Sequence, residues 1–157
     1  MKFENIEDLD IPIDAAFEML SEFSFFERMA MRSGAEVLRR DAEQPSGLGA
    51  AWDLTVPWRG KSVKMQLDVV RFEKPEALGF QAEAPAIRVQ MDIELVALSN
   101  HKTRLQLKTD ISAKTLTGRL LLQSMKLTRG KIEKRLSARI SEQSRNLEER
   151  YRETYKA

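Results

Sequence analysis

The stretch VKMQLDVVRFEKPEALGF, Val63–Phe80, decides the fold. Val63, Met65, Leu67 and Val69 alternate with Lys64, Gln66 and Asp68, the rhythm of a strand that is apolar on one side. After Val69 the phase slips, and the next apolar positions are Val70, Phe72, Leu78 and Phe80. Pro75–Ala77 reads as a turn, so the chain runs out, reverses and returns. The apolar side is either the wall of a packed core or the wall of a container. On that choice rests whether the protein holds a ligand.

The same rhythm extends on both sides. In AAWDLTVPW, Trp52, Leu54, Val56 and Trp58 share one face, with Asp53 and Thr55 opposite. Arg59–Gly60 is a tight reversal into the quoted strand. Downstream, Ile87, Val89, Met91, Ile93 and Leu95 alternate with charged and polar residues. Ser99–Asn100–His101 turns the chain into Thr103, Leu105, Leu107, Thr109 and Ile111. Such strands belong to a sheet covered on one face and wet on the other. Glu36–Arg40 adds a strand, and residues 2–11 add another, with a phase slip near Asn5–Ile6 that reads as a bulge. Between them lie two short helices. PIDAAFEML starts the first, with Asp14 as a cap and Phe17 and Leu20 on one face; SFFERMAM holds the second, ended by Gly34.

After Ser112 the period changes. Leu121, Met125, Ile132, Leu136, Ile140, Leu147 and Tyr151 recur at three, four and seven residues, which predicts an amphipathic helix. It spans about 35 residues, or ~50 Å at the helical rise. Gly130 costs it roughly 1 kcal/mol against alanine and marks either a close contact with the sheet or a bend. The helix is expected to outrun the sheet, leaving its last turns partly free. The predicted class is α+β: an antiparallel sheet of about seven strands around a long C-terminal helix, with two short helices after the first strand. Residues 1–157 read as a single domain, a size that buries a sizeable core without staples.

Composition removes several chemistries. There is no cysteine, so thiolate metal sites, disulfides and cysteine nucleophiles are excluded. The one histidine, His101, cannot form a histidine-rich metal cluster, and neither a metal nor another cofactor is expected. MKFENIEDLDIPID lacks an apolar signal core, and no apolar run reaches membrane-spanning length, so a cytoplasmic protein is the expectation. The net charge of +2 conceals an asymmetry. Residues 114–157 hold twelve Lys or Arg against five Asp or Glu, +7, while residues 1–113 hold fourteen against nineteen, −5. PSGLGAAW has glycines but neither the spacing of a phosphate loop nor a following helix, and reads as a flexible strand entry.

This order of elements, and three stretches in particular, resemble the helix-grip family, the START-like or polyketide cyclase/lipid-transport superfamily (SRPBCC). IPIDAAFEMLSEFSFFERM is similar to its strand exit into paired helices, VVRFEKPEALGFQA to its Pro-containing hairpin, and LTGRLLLQSMKL to the opening of its last helix. The resemblance covers roughly residues 2–150 and carries fold signatures rather than catalytic ones. It implies a seven-stranded sheet gripping the last helix, with an apolar cavity between them. Members bind lipids, sterols, polyketides or plant hormones; some are cyclases or dehydratases, and others are bound by partner proteins. The charged ending ISEQSRNLEERYRETYKA departs from simpler members.

With that resemblance, Trp52, Leu54, Trp58, Met65, Leu67, Phe72, Phe80, Met91 and Leu107 are the expected cavity wall, closed by Leu121 and Met125. Arg59 and His101 are candidates for its rim. No serine–histidine–acid set or carboxylate pair can be drawn by spacing, so the expected function is non-catalytic binding or transfer of a small apolar or amphipathic molecule. The alternative is a cyclase or dehydratase in the same cavity, which needs a polar group such as Asp53 or His101 to face inward. Lys126, Arg129, Lys131, Lys134, Arg135 and Arg139 form a basic face that is either simply solvated or meets an anionic membrane or a partner protein. Nucleic acid is disfavoured, because no recognised binding module accompanies the charge.

Overall fold

A computed structural model describes residues 1–40 and 47–155. The elements run β1 (Lys2–Leu9), α1 (Ile13–Leu20), α2 (Phe23–Arg32), β2 (Glu36–Arg39), β3 (Ala51–Trp58), β4 (Lys61–Glu73), β5 (Ala77–Glu83), β6 (Ile87–Ala97), β7 (Thr103–Ala113), α3 (Leu116–Leu127) and α4 (Arg129–Tyr155). All seven strands pair antiparallel in the order β1-β7-β6-β5-β4-β3-β2. Pro45 and Ser46 of the PSGLGAAW segment lie outside the described residues.

Register carries one apolar face across the whole sheet. Trp52 pairs with Leu67, Leu67 with Ala82 and Ala82 with Val89. Val89 pairs with Ile111, while Phe80 pairs with Met91 and Met91 with Thr109. The phase slip in the opening stretch is a bulge: the β4–β5 register shifts between Val69 and Arg71, and Val70 turns outward. The bulge presses the Arg71 Cβ toward Gly79, where an added Cβ would lie 2.7 Å away. A residue without a side chain is therefore needed opposite the bulge.

Two apolar clusters sit on this face. One gathers Leu9, Ile11, Phe17, Leu20, Leu78, Leu95, Leu105 and Leu147; the other gathers Phe23, Ala50, Trp52 and Val69. Phe72 and Phe80 pack against both. At the first, the buried Thr103 hydroxyl donates to the Ile11 carbonyl at 2.7 Å, tying β7 to the chain entering α1.

Three expectations require correction. The phase slip near Asn5–Ile6 is not a bulge, because β1 pairs with β7 without interruption from Lys2 to Leu9. Asn5 instead faces α4, where its amide donates to the Ser137 hydroxyl at 3.0 Å, and Ile6 points to solvent. Asp14 is not the cap of α1; Pro12 occupies that position and Asp14 lies in the first turn, where the helix dipole favours an acid. The C-terminal helix is divided at Thr128, whose backbone (φ −117°, ψ 23°) leaves the helical range, two residues before Gly130. The expectation of partly free last turns holds for residues 152–155, which are exposed, but the turns just before them are anchored. Ser144 and Leu147 are the buried residues of α4, and Tyr151 packs against the first cluster.

The seam that fixes α4 explains this. Ser137, Ser141 and Ser144 follow one another at four and three residues, on one side of the helix. Ser137 meets Asn5, the Ser141 hydroxyl donates to Glu7, and Ser144 is buried. Small side chains let α4 lie close to β1. Ile132, Leu136 and Ile140, on a different side, remain half-buried.

Candidate functional site

The inner face of the sheet is not uniformly filled. Leu78, Leu95, Leu105 and Val69 are buried, whereas Leu54, Met65, Leu67, Phe80, Met91, Ile93 and Leu107 are only half-buried although register turns them all toward the helices. Side chains that face inward and still keep accessible surface border empty space. Part of that space is an apolar chamber of about 230 Å³ between α2 and the strands β2–β6. Its strand side includes Val37, Trp52, Leu54, Leu67, Phe80 and Ile93.

Helix α2 closes it. Phe23, Phe26, Glu27 and Ala30 stand at i, i+3, i+4 and i+7, the spacing of one helical face, and all four line the chamber with Leu20 of α1. Phe23 meets Trp52 edge-on at 5.2 Å and Phe80 at 6.2 Å, so two aromatic contacts hold α2 over the sheet. Glu27 thus occupies a position where helical spacing calls for an apolar residue. Its Oε1 accepts the Trp52 indole N–H at 2.8 Å and lies 3.6 Å from the Arg39 guanidinium, which is itself 5.0 Å from the Trp52 ring centre.

Of the expected wall, Trp52, Leu54, Leu67 and Phe80 line this chamber. Phe72 stands beside it, edge-on to Phe17 at 5.1 Å and in contact with both clusters. Met65 borders a neighbouring, mixed polar hollow of about 570 Å³, and Leu107 packs against the Leu9 cluster. Met91 shares the inner face by its pairing with Phe80 but is not in the lining. Trp58 is 46% exposed at the far end of β3, with the Arg59 guanidinium 4.6 Å from its ring centre. Leu121 and Met125 do not close the chamber. They border a separate hollow of about 280 Å³ with Arg59, Lys131, Ile132 and Arg135, because α3 covers the other end of the sheet.

Among the rim candidates, Arg59 therefore belongs to the α3 hollow. His101 is exposed in the β6–β7 turn, where its backbone N–H donates to the Ser99 hydroxyl at 3.1 Å. Asp53 points away from the chamber and pairs with Arg40 at 3.2 Å. In the basic patch, Lys126, Lys131, Lys134, Arg135 and Arg139 are exposed. Arg129 is not available in the same way: it pairs with Glu133 at 2.8 Å, covers the Phe3 ring at 4.6 Å and donates to the Lys2 carbonyl.

Sequence reasoning missed α2 as a wall, and with it Phe23, Phe26, Glu27 and Ala30. The signal was available in the i, i+3, i+4, i+7 pattern of FSFFERMAM, read along the helix rather than for length alone. The perturbed carboxylates lie elsewhere. Hydrogen bonds from Lys114 and Arg88 hold Glu83 down at about 2, and burial beside Asp10 raises Glu148. Among the described residues no group of three or more acidic or histidine side chains could hold a metal ion, and no helix is long and apolar enough to cross a membrane.

No protein-family model matches the chain, and no curated protein matches it by sequence. Solved structures do match by shape. A protein of Thermus thermophilus superposes with a TM-score of 0.63 at 12% identity, over 94% of this chain and 97% of its own. The Zhui aromatase/cyclase of a Streptomyces species gives 0.61 at 14%, over 100% and 98%. A START superfamily protein of Mycobacterium smegmatis gives 0.52 at 14%, over 85% and 95%. At these identities the likeness establishes the fold alone, a helix grip.

Proposed function

We propose that this helix-grip chain binds a small apolar or amphipathic molecule in the chamber beneath α2, without transforming it. The observation that carries the reading is the half-buried inner wall: Leu54, Leu67, Phe80 and Ile93 face the helices, yet a hollow of about 230 Å³ separates them from α2. Space of this kind, apolar and largely pre-formed, suits a compact ligand. A cyclase or dehydratase reading would rest on Glu27, the sole titratable side chain in the lining among the described residues, which Trp52 and Arg39 already hold. One restrained carboxylate supports binding better than paired acid–base work. Native mass spectrometry of the gently purified chain should show a small non-covalent adduct that denaturing conditions remove. An apo mass alone, unchanged after addition of compact aromatic compounds, would contradict the reading.

A second reading concerns the surface of α3. Leu116, Leu120 and Leu127 are 72%, 59% and 87% exposed and, spaced by four and seven residues, form one stripe. Lys126, Lys131 and Lys134 stand nearby in sequence, all exposed. A leucine stripe with basic neighbours suits the interface of an anionic membrane, where each cation adds about 1 kcal/mol before salt screening. The chain should co-sediment with phosphatidylserine-containing vesicles at low salt and much less with neutral ones. L116S/L120S/L127S and K126E/K131E/K134E should each weaken that binding while the fold is retained. Equal sedimentation of parent and both variants would end the membrane reading.

A further inference from the structure

Among the described residues, the apolar lining of the chamber has one charged side chain, and it is organised. Glu27 comes from the chamber face of α2, its carboxylate is oriented by the Trp52 N–H, and Arg39 stands within ion-pair distance. A carboxylate has about four acceptor sites, and the contacts at Oε1 leave part of that capacity for a bound molecule. A carboxylate at a position that apolar spacing would fill is costly unless its acceptor capacity is met. Trp52 and Arg39 meet part of it; a ligand donor would meet more.

We infer that Glu27 selects the ligand: the chamber takes a compact apolar body carrying a hydroxyl, phenol or amine donor at the Glu27 end, and discriminates against apolar carboxylates. The inference rests on the chamber-binding reading above and adds the headgroup. A donor gains a hydrogen bond to a charged acceptor, in a setting where water is partly displaced. A carboxylate of the same shape brings no donor and sets two acceptors against one another. Arg39 does not reverse this preference, because its guanidinium is already engaged by Glu27 and the face of the Trp52 ring and is not among the lining residues.

The test is calorimetric titration of the full chain with three probes of one shape: 2-naphthol, 2-naphthoate and 2-methylnaphthalene. 2-Naphthol is expected to bind at least about tenfold more tightly than 2-naphthoate, the range of one hydrogen bond to a charged group. Glu27→Gln keeps an oxygen for the Trp52 N–H but turns an amide NH2 toward the ligand, and is expected to bring the naphthol-to-naphthoate ratio near or below one. Equal affinity of the parent for 2-naphthol and 2-naphthoate overturns the inference and leaves the chamber reading standing. So does a preference for 2-naphthol that Glu27→Gln leaves unchanged. Failure of all three probes, including 2-methylnaphthalene, counts against the chamber reading and removes the inference with it. The parent comparison needs no variant, so a Glu27→Gln chain that folds poorly does not protect the proposal.

Discussion

Phe17→Ala is expected to destabilise the protein by about 3–5 kcal/mol, the range for removing a fully buried phenylalanine. Phe17 is 1% exposed and meets Phe72 edge-on at 5.1 Å. Phe72 in turn packs against both apolar clusters. Removing Phe17 therefore leaves a cavity under α1 and also takes support from the ring that links the clusters. Urea unfolding should show a lower midpoint with an unchanged slope, the mark of lost stability rather than altered exposure. A loss below about 1 kcal/mol would mean that the site collapses freely and that Phe72 holds its place without Phe17.

Gly118→Ala should unseat α3. The amide of Gly118 donates to the capping Thr115 hydroxyl at 3.1 Å, and the residue lies buried against the β5–β6 connection. A Cβ there would stand 2.1 Å from the Ala86 carbonyl oxygen and 3.0 Å from its carbon. The same oxygen accepts the Lys114 backbone N–H at 2.8 Å, so it cannot retreat without breaking that bond. Backbone on both sides leaves only helix displacement as relief, at a cost of about 1–3 kcal/mol or more. Hydrogen exchange should lose protection first in α3, with β3–β5 little changed. Parent-like exchange across α3, at parent-like stability, would contradict the close approach.

How much of this was legible in the sequence depended on whether periodicity coincided with polarity. Strands β3 to β7 were readable because every second residue is apolar and the turns at Arg59–Gly60 and Ser99–His101 punctuate them. The slip after Val69 announced a real bulge, since Val70 is apolar yet exposed. At Asn5 a similar slip misled, because a polar residue faces inward to meet Ser137. The C-terminal helix misled for the same reason. Its contact with β1 runs through serines, which read as solvent-facing, while Leu121 and Met125, expected to close the cavity, border a separate hollow. The chamber was half visible. Strand parity identified Trp52, Leu54, Leu67 and Phe80, but the covering element was assigned to the last helix by resemblance, whereas α2 supplies it. Nothing local marks which helix lies over which end of a sheet; that is fixed by long-range contacts such as Phe23 on Trp52.

The central claim is that the hollow beneath α2 is a binding chamber, and filling it tests that most directly. Ala30 lines the hollow on α2, one helical turn beyond Phe26 and Glu27. The measurement is a fluorescence titration of N-phenyl-1-naphthylamine into the parent and into Ala30→Trp, each checked for folding by circular dichroism. The parent should bind one equivalent with saturable enhancement, and Ala30→Trp, folded but with its hollow occupied by the indole, should lose most of that binding. Undiminished one-to-one binding by folded Ala30→Trp, or no saturable binding by the parent, would contradict the account.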